Sequence, residues 1–288
     1  MFFCIGALTD FGPLIANPKA FLLGAAAQVG IYTSFLGAIL LGFTIPEACS
    51  IGIIGGADGP TTIFTTALLA PDIMGITATA AYSYMAMVAI IQPPIIRAMI
   101  SKEKRKILMS PQLRHVSKLE KIIFPLVTMF IVVLLIPRSA PLVGMLMLGN
   151  LFRESGVVER LSNTAQNDFV NIITILLMLG IGASMPSERV LQVSTLMVLA
   201  LGLFAFAMGT VGGVVLGLIM SKLSKEPFNP MLGACGVSAV PMSARIVQHM
   251  GMKENPRNYL LMHAMGPNVA GVIGSAVAGG YFIGLLVQ

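Results

Sequence analysis

Asp58 stands between Gly55, Gly56, Gly59 and Pro60 in the run from Ile51 to Thr66, a single carboxylate in sequence that otherwise reads as membrane-spanning. An aspartate at the bilayer centre costs roughly 2.5 to 3.5 kcal/mol on insertion scales, so such a residue marks a functional site by default. The glycines and the proline break a helix at that point. Broken backbone at membrane depth is tolerated only where it is buried in protein or lines a cavity.

The membrane reading rests on composition. Hydrophobic residues make up 56% of the 288 and charged residues only 10%, against about 25% charged in soluble domains. The net charge of +6 is no nucleic-acid signal, because the basic residues cluster in loops beside apolar segments, where they set topology. Cys4, Cys49 and Cys235 show neither metal spacing nor a disulfide framework and read as small core residues.

Apolar stretches at 20–43, 74–100, 122–137, 169–185, 190–220 and 258–287 are each long enough, or nearly so, to span about 30 Å of hydrocarbon. Shorter ones lie at 45–70, 139–152 and 227–248. The first and last of these are broken by Gly and Pro and read as re-entrant hairpins. Positive charge concentrates from Ser101 to Lys121, which places that loop in the cytoplasm. Propagating this assignment puts Lys19, the 153–168 loop, Lys222, Lys225, Lys253 and Arg257 inside, with only Arg138 and Arg189 outside. The two hairpins then enter from opposite sides.

That opposition predicts an all-α polytopic membrane protein built from inverted repeats. A first repeat covers 1–101 and carries the Asp58 hairpin. Basic loop and connecting helices fill 102–168, and the second repeat covers 169–288 with the Ser238/Arg245 hairpin. In each half a long span (ending at Phe43 or Leu218) leads into a broken hairpin and then a final long span. Secondary transporters place their sites where such repeats meet. The other reading of the glycines is close helix packing alone, which does not call for the acid.

The second half offers polar partners in Asn229, Ser238, Ser243, Arg245 and Asn268, and Tyr82 and Tyr84 follow Asp58 in the next span. A carboxylate with Asn, Ser and backbone oxygens suits Na⁺, a hard cation that prefers oxygen. Arg245 either holds an anionic substrate or pairs with Asp58, and Tyr84 either relays a proton or packs. His115, His249 and His263 sit at loop or helix-end positions, where solvation or packing is the better reading.

Two strings then carry a resemblance: Gly55 to Thr61, and Gly236 to Arg245. With Asn255 to Ser275 and Phe152 to Val158, they closely resemble the β subunit of the Na⁺-pumping biotin-dependent decarboxylases, which act on oxaloacetate, methylmalonyl-CoA, glutaconyl-CoA or malonate. The resemblance covers essentially the whole chain. It implies a multi-pass protein of the inner (cytoplasmic) membrane that decarboxylates carboxybiotin, consumes a proton and moves Na⁺ outward. It also implies further membrane helices ahead of the Gly6–Phe11 element.

Carried over residue by residue, the resemblance implies catalytic roles for Asp58, Tyr84, Arg245 and Ser238. It implies Na⁺ ligation by Asp58, Asn268, Ser238 and Tyr82, and carboxybiotin binding by Arg245, Asn229 and Gly233. The biotin-accepting Ala-Met-Lys-Met pattern is absent, with only a superficial echo at Met252-Lys253-Glu254, so biotin is expected on another polypeptide. The implied partners are a carboxyltransferase α subunit, a biotin carrier protein and a small membrane γ or δ subunit, in an oligomer, with no nucleic acid. The alternative is a Na⁺-coupled carboxylate carrier that performs no chemistry.

Overall fold

A computed structural model describes residues 1–109, 113–185 and 192–287; Arg189 lies outside them. Among the described residues there is no β-strand. The helices are α1 (Phe2–Leu8), α2 (Gly12–Ala16), α3 (Ala20–Ala27), α4 (Val29–Leu40), α5 (Ile45–Ile54), α6 (Gly59–Leu69), α7 (Met74–Met99), α8 (Lys102–Arg105), α9 (Lys118–Leu135), α10 (Ala140–Ser155), α11 (Glu159–Thr164), α12 (Val170–Ala183), α13 (Val193–Leu223), α14 (Met242–Glu254) and α15 (Leu261–Leu286). Among the described residues five helical runs are long and apolar enough to cross a membrane: Ala20–Leu40, Pro71–Met99, Glu159–Ala183, Val193–Leu223 and Leu261–Leu286. The protein is an all-helical polytopic membrane protein.

Two sequence expectations change in detail. The 20–43 stretch is divided rather than continuous, because Gln28 ends α3 and begins α4. The 122–137 stretch becomes α9, an 18-residue helix that starts at Lys118 and carries Lys118, Glu120 and Lys121 in its first turn, so it is not among the five. Outside the membrane-spanning part, the hydrogen bond from Arg114 and those from Ser117 hold the Glu120 carboxyl down at about 2.

α15 is the central post. Its most apolar stretch is 67% buried inside the structure, whereas that of Glu159–Ala183 is only 11% buried. Burial on every side calls for small residues at the contacts, and α15 supplies Gly266, Gly271, Gly274, Gly279 and Gly280. A Cβ on Gly280 would meet Ser139, and one on Gly274 would lie 2.6 Å from the Gln28 amide nitrogen. Close backbone approach of this kind is what small residues give membrane helices in place of a hydrophobic driving force.

The first hairpin consists of α5 and α6. Thr44 and Glu47 form a capping box that starts α5, satisfying two otherwise orphaned backbone donors. Gly55 and Gly56 end α5, Ala57 turns through a positive φ of 57°, and Asp58 caps α6 with Pro60 in its first turn. The second hairpin differs from an ordinary helical pair. Its first arm is a 3₁₀ helix, Pro230–Gly236, its tip runs extended from Val237, and α14 is the return arm. The two tips touch: the Ser238 N–H donates to the Gly56 carbonyl at 3.4 Å.

Candidate cation site at the hairpin tips

Asp58 is 5% exposed. Its Oδ1 accepts from the Thr61 N–H at 3.2 Å, and its Oδ2 accepts from the Thr61 hydroxyl at 2.7 Å and the Ser275 hydroxyl at 2.7 Å. Among the described residues no cationic side chain pairs with it. Capping α6 accounts for an N-cap residue here and is worth about 1 kcal/mol, but Asn would cap equally well. A buried ionised carboxylate without a counter-charge is far more costly than that gain. The cap alone therefore does not account for an acid rather than an amide at this position.

Unpartnered oxygens also lie on helices that touch the two tips. Asn268 donates its amide N–H groups to the Cys235 carbonyl at 3.2 Å, the Val237 carbonyl at 2.8 Å and the Ser243 hydroxyl at 2.8 Å. That leaves its Oδ1 buried without a donor. Gln28 likewise donates to the Gly24 and Gly271 carbonyls and leaves Oε1 unpartnered. The Tyr82 ring rests on Gly59, where a Cβ would come 2.6 Å from its Cζ, and its buried hydroxyl has no partner. Ser238 reaches the Ala57 carbonyl at 3.4 Å through its hydroxyl.

Buried polar atoms are ordinarily satisfied. The amide oxygens of Asn268 and Gln28 are left open to a donor or a cation, and the Tyr82 hydroxyl to either kind of partner. Ser275 adds a switchable donor. Its hydroxyl also lies 2.9 Å from the Val272 carbonyl, and one O–H can serve only one acceptor at a time. Turned toward Val272, the same oxygen presents a lone pair to whatever sits on Asp58. Among the described residues no group of three or more His, Cys, Asp or Glu is arranged to hold a metal; the oxygens here come from one carboxylate, amides, hydroxyls and carbonyls.

Of the residues singled out from sequence, the structure brings Asp58, Tyr82, Ser238 and Asn268 to the meeting of the tips. It places four others differently. Tyr84 points its hydroxyl at the Leu199 carbonyl of α13 and packs in the core. Asn229 is buried elsewhere, donating to the Arg105 and Ile107 carbonyls at 3.1 and 2.9 Å and capping the 3₁₀ arm. Gly233 lies so close to Gly213 that a Cβ would strike its carbonyl, which is a packing role. Arg245 does not pair with Asp58: it is exposed on α14, on one face with His249 and Lys253, and no carboxylate among the described residues bonds it.

Sequence reasoning missed Ser275, Thr61 and Gln28. Only the seven-residue spacing of Asn268 and Ser275, two turns of one helix face, could have pointed to Ser275.

Known proteins are similar to this chain over nearly its whole length. The family described as Na⁺-transporting oxaloacetate decarboxylase beta subunit matches residues 1–286. The methylmalonyl-CoA decarboxylase subunit beta of Propionigenium modestum is 62% identical over 286 residues, covering 99% of this chain and 72% of that protein. The oxaloacetate decarboxylase beta chain 2 of Salmonella typhi is 56% identical over 289 residues, covering 98% of this chain and 66% of that protein. The glutaconyl-CoA decarboxylase subunit beta of Acidaminococcus fermentans is 55% identical over 286 residues, covering 99% and 76%. The chain thus spans about two thirds to three quarters of the length of these relatives, and it belongs to the family of beta subunits of the Na⁺-transporting decarboxylases.

Proposed function

We propose that this chain is the membrane subunit of a decarboxylase sodium pump. In this reading it receives a carboxyl group carried on the biotin of a partner polypeptide, releases it as CO₂ with consumption of a proton, and moves Na⁺ outward across the membrane. The observation that carries the reading is the buried Asp58 carboxylate, bonded by Thr61 and Ser275 but by no cationic side chain among the described residues, where the two hairpin tips touch. The matched relatives are decarboxylase beta subunits, and none of those three is named as a plain carrier, so the carrier alternative finds no support.

The chemistry follows from the residues. Ionised Asp58 binds Na⁺ together with Asn268, Ser238 and hairpin carbonyls, in the manner of unwound helix ends in transporters. Protonation of the same carboxylate removes the charge that holds the ion, so a proton arriving for the reaction displaces Na⁺. The exposed guanidinium of Arg245 offers a fixed cation with paired donors to a carboxylate arriving from the aqueous side. The partners in this reading are a carboxyltransferase, a biotin carrier and a small membrane subunit, assembled at the inner membrane, with the two hairpins forming an inverted pair.

Radioactive Na⁺ uptake by proteoliposomes holding the assembled complex tests the reading. Asp58→Asn should lose both uptake and Na⁺-stimulated CO₂ release; coupled activity retained in that variant would remove Asp58 from the scheme.

A further inference from the structure

A run of buried hydroxyls on α6 begins at Thr61, which bonds Asp58, and continues beyond the site. Thr61, Thr62, Thr65 and Thr66 all lie fully buried, and they lead from Asp58 along α6 toward the Pro71–Ile73 turn. That turn begins the α7 run, whose other end meets the basic Lys102–Arg105 segment. The threonine run therefore points to the face opposite the basic one.

Threonine hydroxyls inside membrane helices commonly donate to the carbonyl one turn back. Several here do so: Thr62 to Asp58 at 2.8 Å, Thr77 to Ile73 at 3.2 Å and Thr210 to Phe206 at 3.1 Å. Thr65 does not. Its hydroxyl is fully buried, lies on a regular helix one turn beyond Thr61, and has no partner at all.

The space beside it is also distinctive. Thr61 and Thr65 face Gly279 of α15, where a Cβ would come 2.8 Å from both the Thr61 methyl and the Thr65 hydroxyl. Ser275, one turn earlier on α15, bonds Asp58. Gly280, one residue beyond Gly279, abuts Ser139 of the Pro137–Ser139 turn. The α6–α15 seam thus offers the Asp58 carboxylate, the Ser275 and Thr61 hydroxyls and then the open Thr65 hydroxyl in succession, with a glycine keeping bulk out.

Resting on the reading of Asp58 as a Na⁺ site, we infer that Na⁺ leaves along this seam, with the Thr65 hydroxyl as its next oxygen ligand after Asp58. Thr65 is a residue of the release path and does not belong to the resting binding site. Its loss should slow turnover without weakening Na⁺ binding.

The test uses the assembled complex in proteoliposomes, with maximal Na⁺ transport and half-saturating Na⁺ measured together. Thr65→Val, which keeps shape and removes the hydroxyl, should lower the maximal rate about tenfold with half-saturating Na⁺ unchanged. Thr65→Ser should restore most of the rate. Gly279→Ala, which fills the space beside an intact Thr65, should slow release in the same way and keeps the test decisive if the valine variant does not assemble. A wild-type maximal rate in Thr65→Val and Gly279→Ala overturns the inference, as does equal impairment of the valine and serine variants. Asp58→Asn run alongside separates the two levels: Na⁺ activation retained there sinks the site itself, whereas its loss with full-rate Thr65→Val sinks only the path.

Discussion

The Ser275 hydroxyl donates to Asp58 Oδ2 at 2.7 Å from 217 positions away in the chain, and this one contact ties the central helix to the tip of the first hairpin. Both groups are buried, and the second acceptor of Ser275, the Val272 carbonyl, lets it trade a donated proton for a lone pair. Ser275→Ala should therefore raise half-saturating Na⁺ about tenfold, since hydrogen bonds to charged groups contribute roughly 1.5 to 3 kcal/mol. Na⁺ titration of decarboxylation checks this, and an unaltered titration would place Ser275 outside the site.

Arg245 is exposed and bonds no carboxylate among the described residues. Arg245→Ala is therefore expected to raise the KM for the carboxylated biotin carrier while half-saturating Na⁺ stays within about twofold, because rim charges act on encounter more than on distant sites. Arg245→Lys should recover only part of the loss, since lysine lacks the planar fork. A large change in Na⁺ affinity would mean that Arg245 does reach the carboxylate.

Gly233 and Asn229 are expected to fail differently from binding residues. Gly233→Ala drives a methyl into the Gly213 carbonyl, and overpacking of this kind costs about 1 to 3 kcal/mol. Asn229→Ala removes the bonds that fasten the 3₁₀ arm to Arg105 and Ile107; the Arg105 carbonyl keeps its bond from Asn258, but the Ile107 carbonyl loses its donor, a loss of about 1 to 3 kcal/mol. Thermal unfolding in detergent should show both losses. Normal stability with weakened carrier binding would instead make them ligands of the carboxyl donor.

How much of this was legible in the sequence follows from what each residue does locally. Asp58 announced itself because a charge among glycines in apolar sequence has few structural reasons to exist. Ser238 and Asn268 lay in helix-breaking contexts that also advertise function. Ser275 and Gln28 carry no such mark, because serine and glutamine are ordinary in helix–helix seams and their importance comes from packing across the chain. Tyr84, Asn229 and Gly233 have the chemistry of ligands, yet the fold turns them toward the Leu199 carbonyl, the Arg105 segment and Gly213. Composition and spacing cannot separate those uses, since each depends on which helix lies opposite.

The central claim is that Na⁺ and a proton compete for one counter-charge-free carboxylate. Na⁺ affinity of the assembled complex, measured as a function of pH in the wild type and in Asp58→Asn, tests it most directly. Competition requires wild-type affinity to fall as pH falls, by up to about tenfold per unit once the carboxyl protonates, and it requires Asp58→Asn to lose both the affinity and its pH dependence. A wild-type affinity that ignores pH, or one that survives in Asp58→Asn, would contradict it.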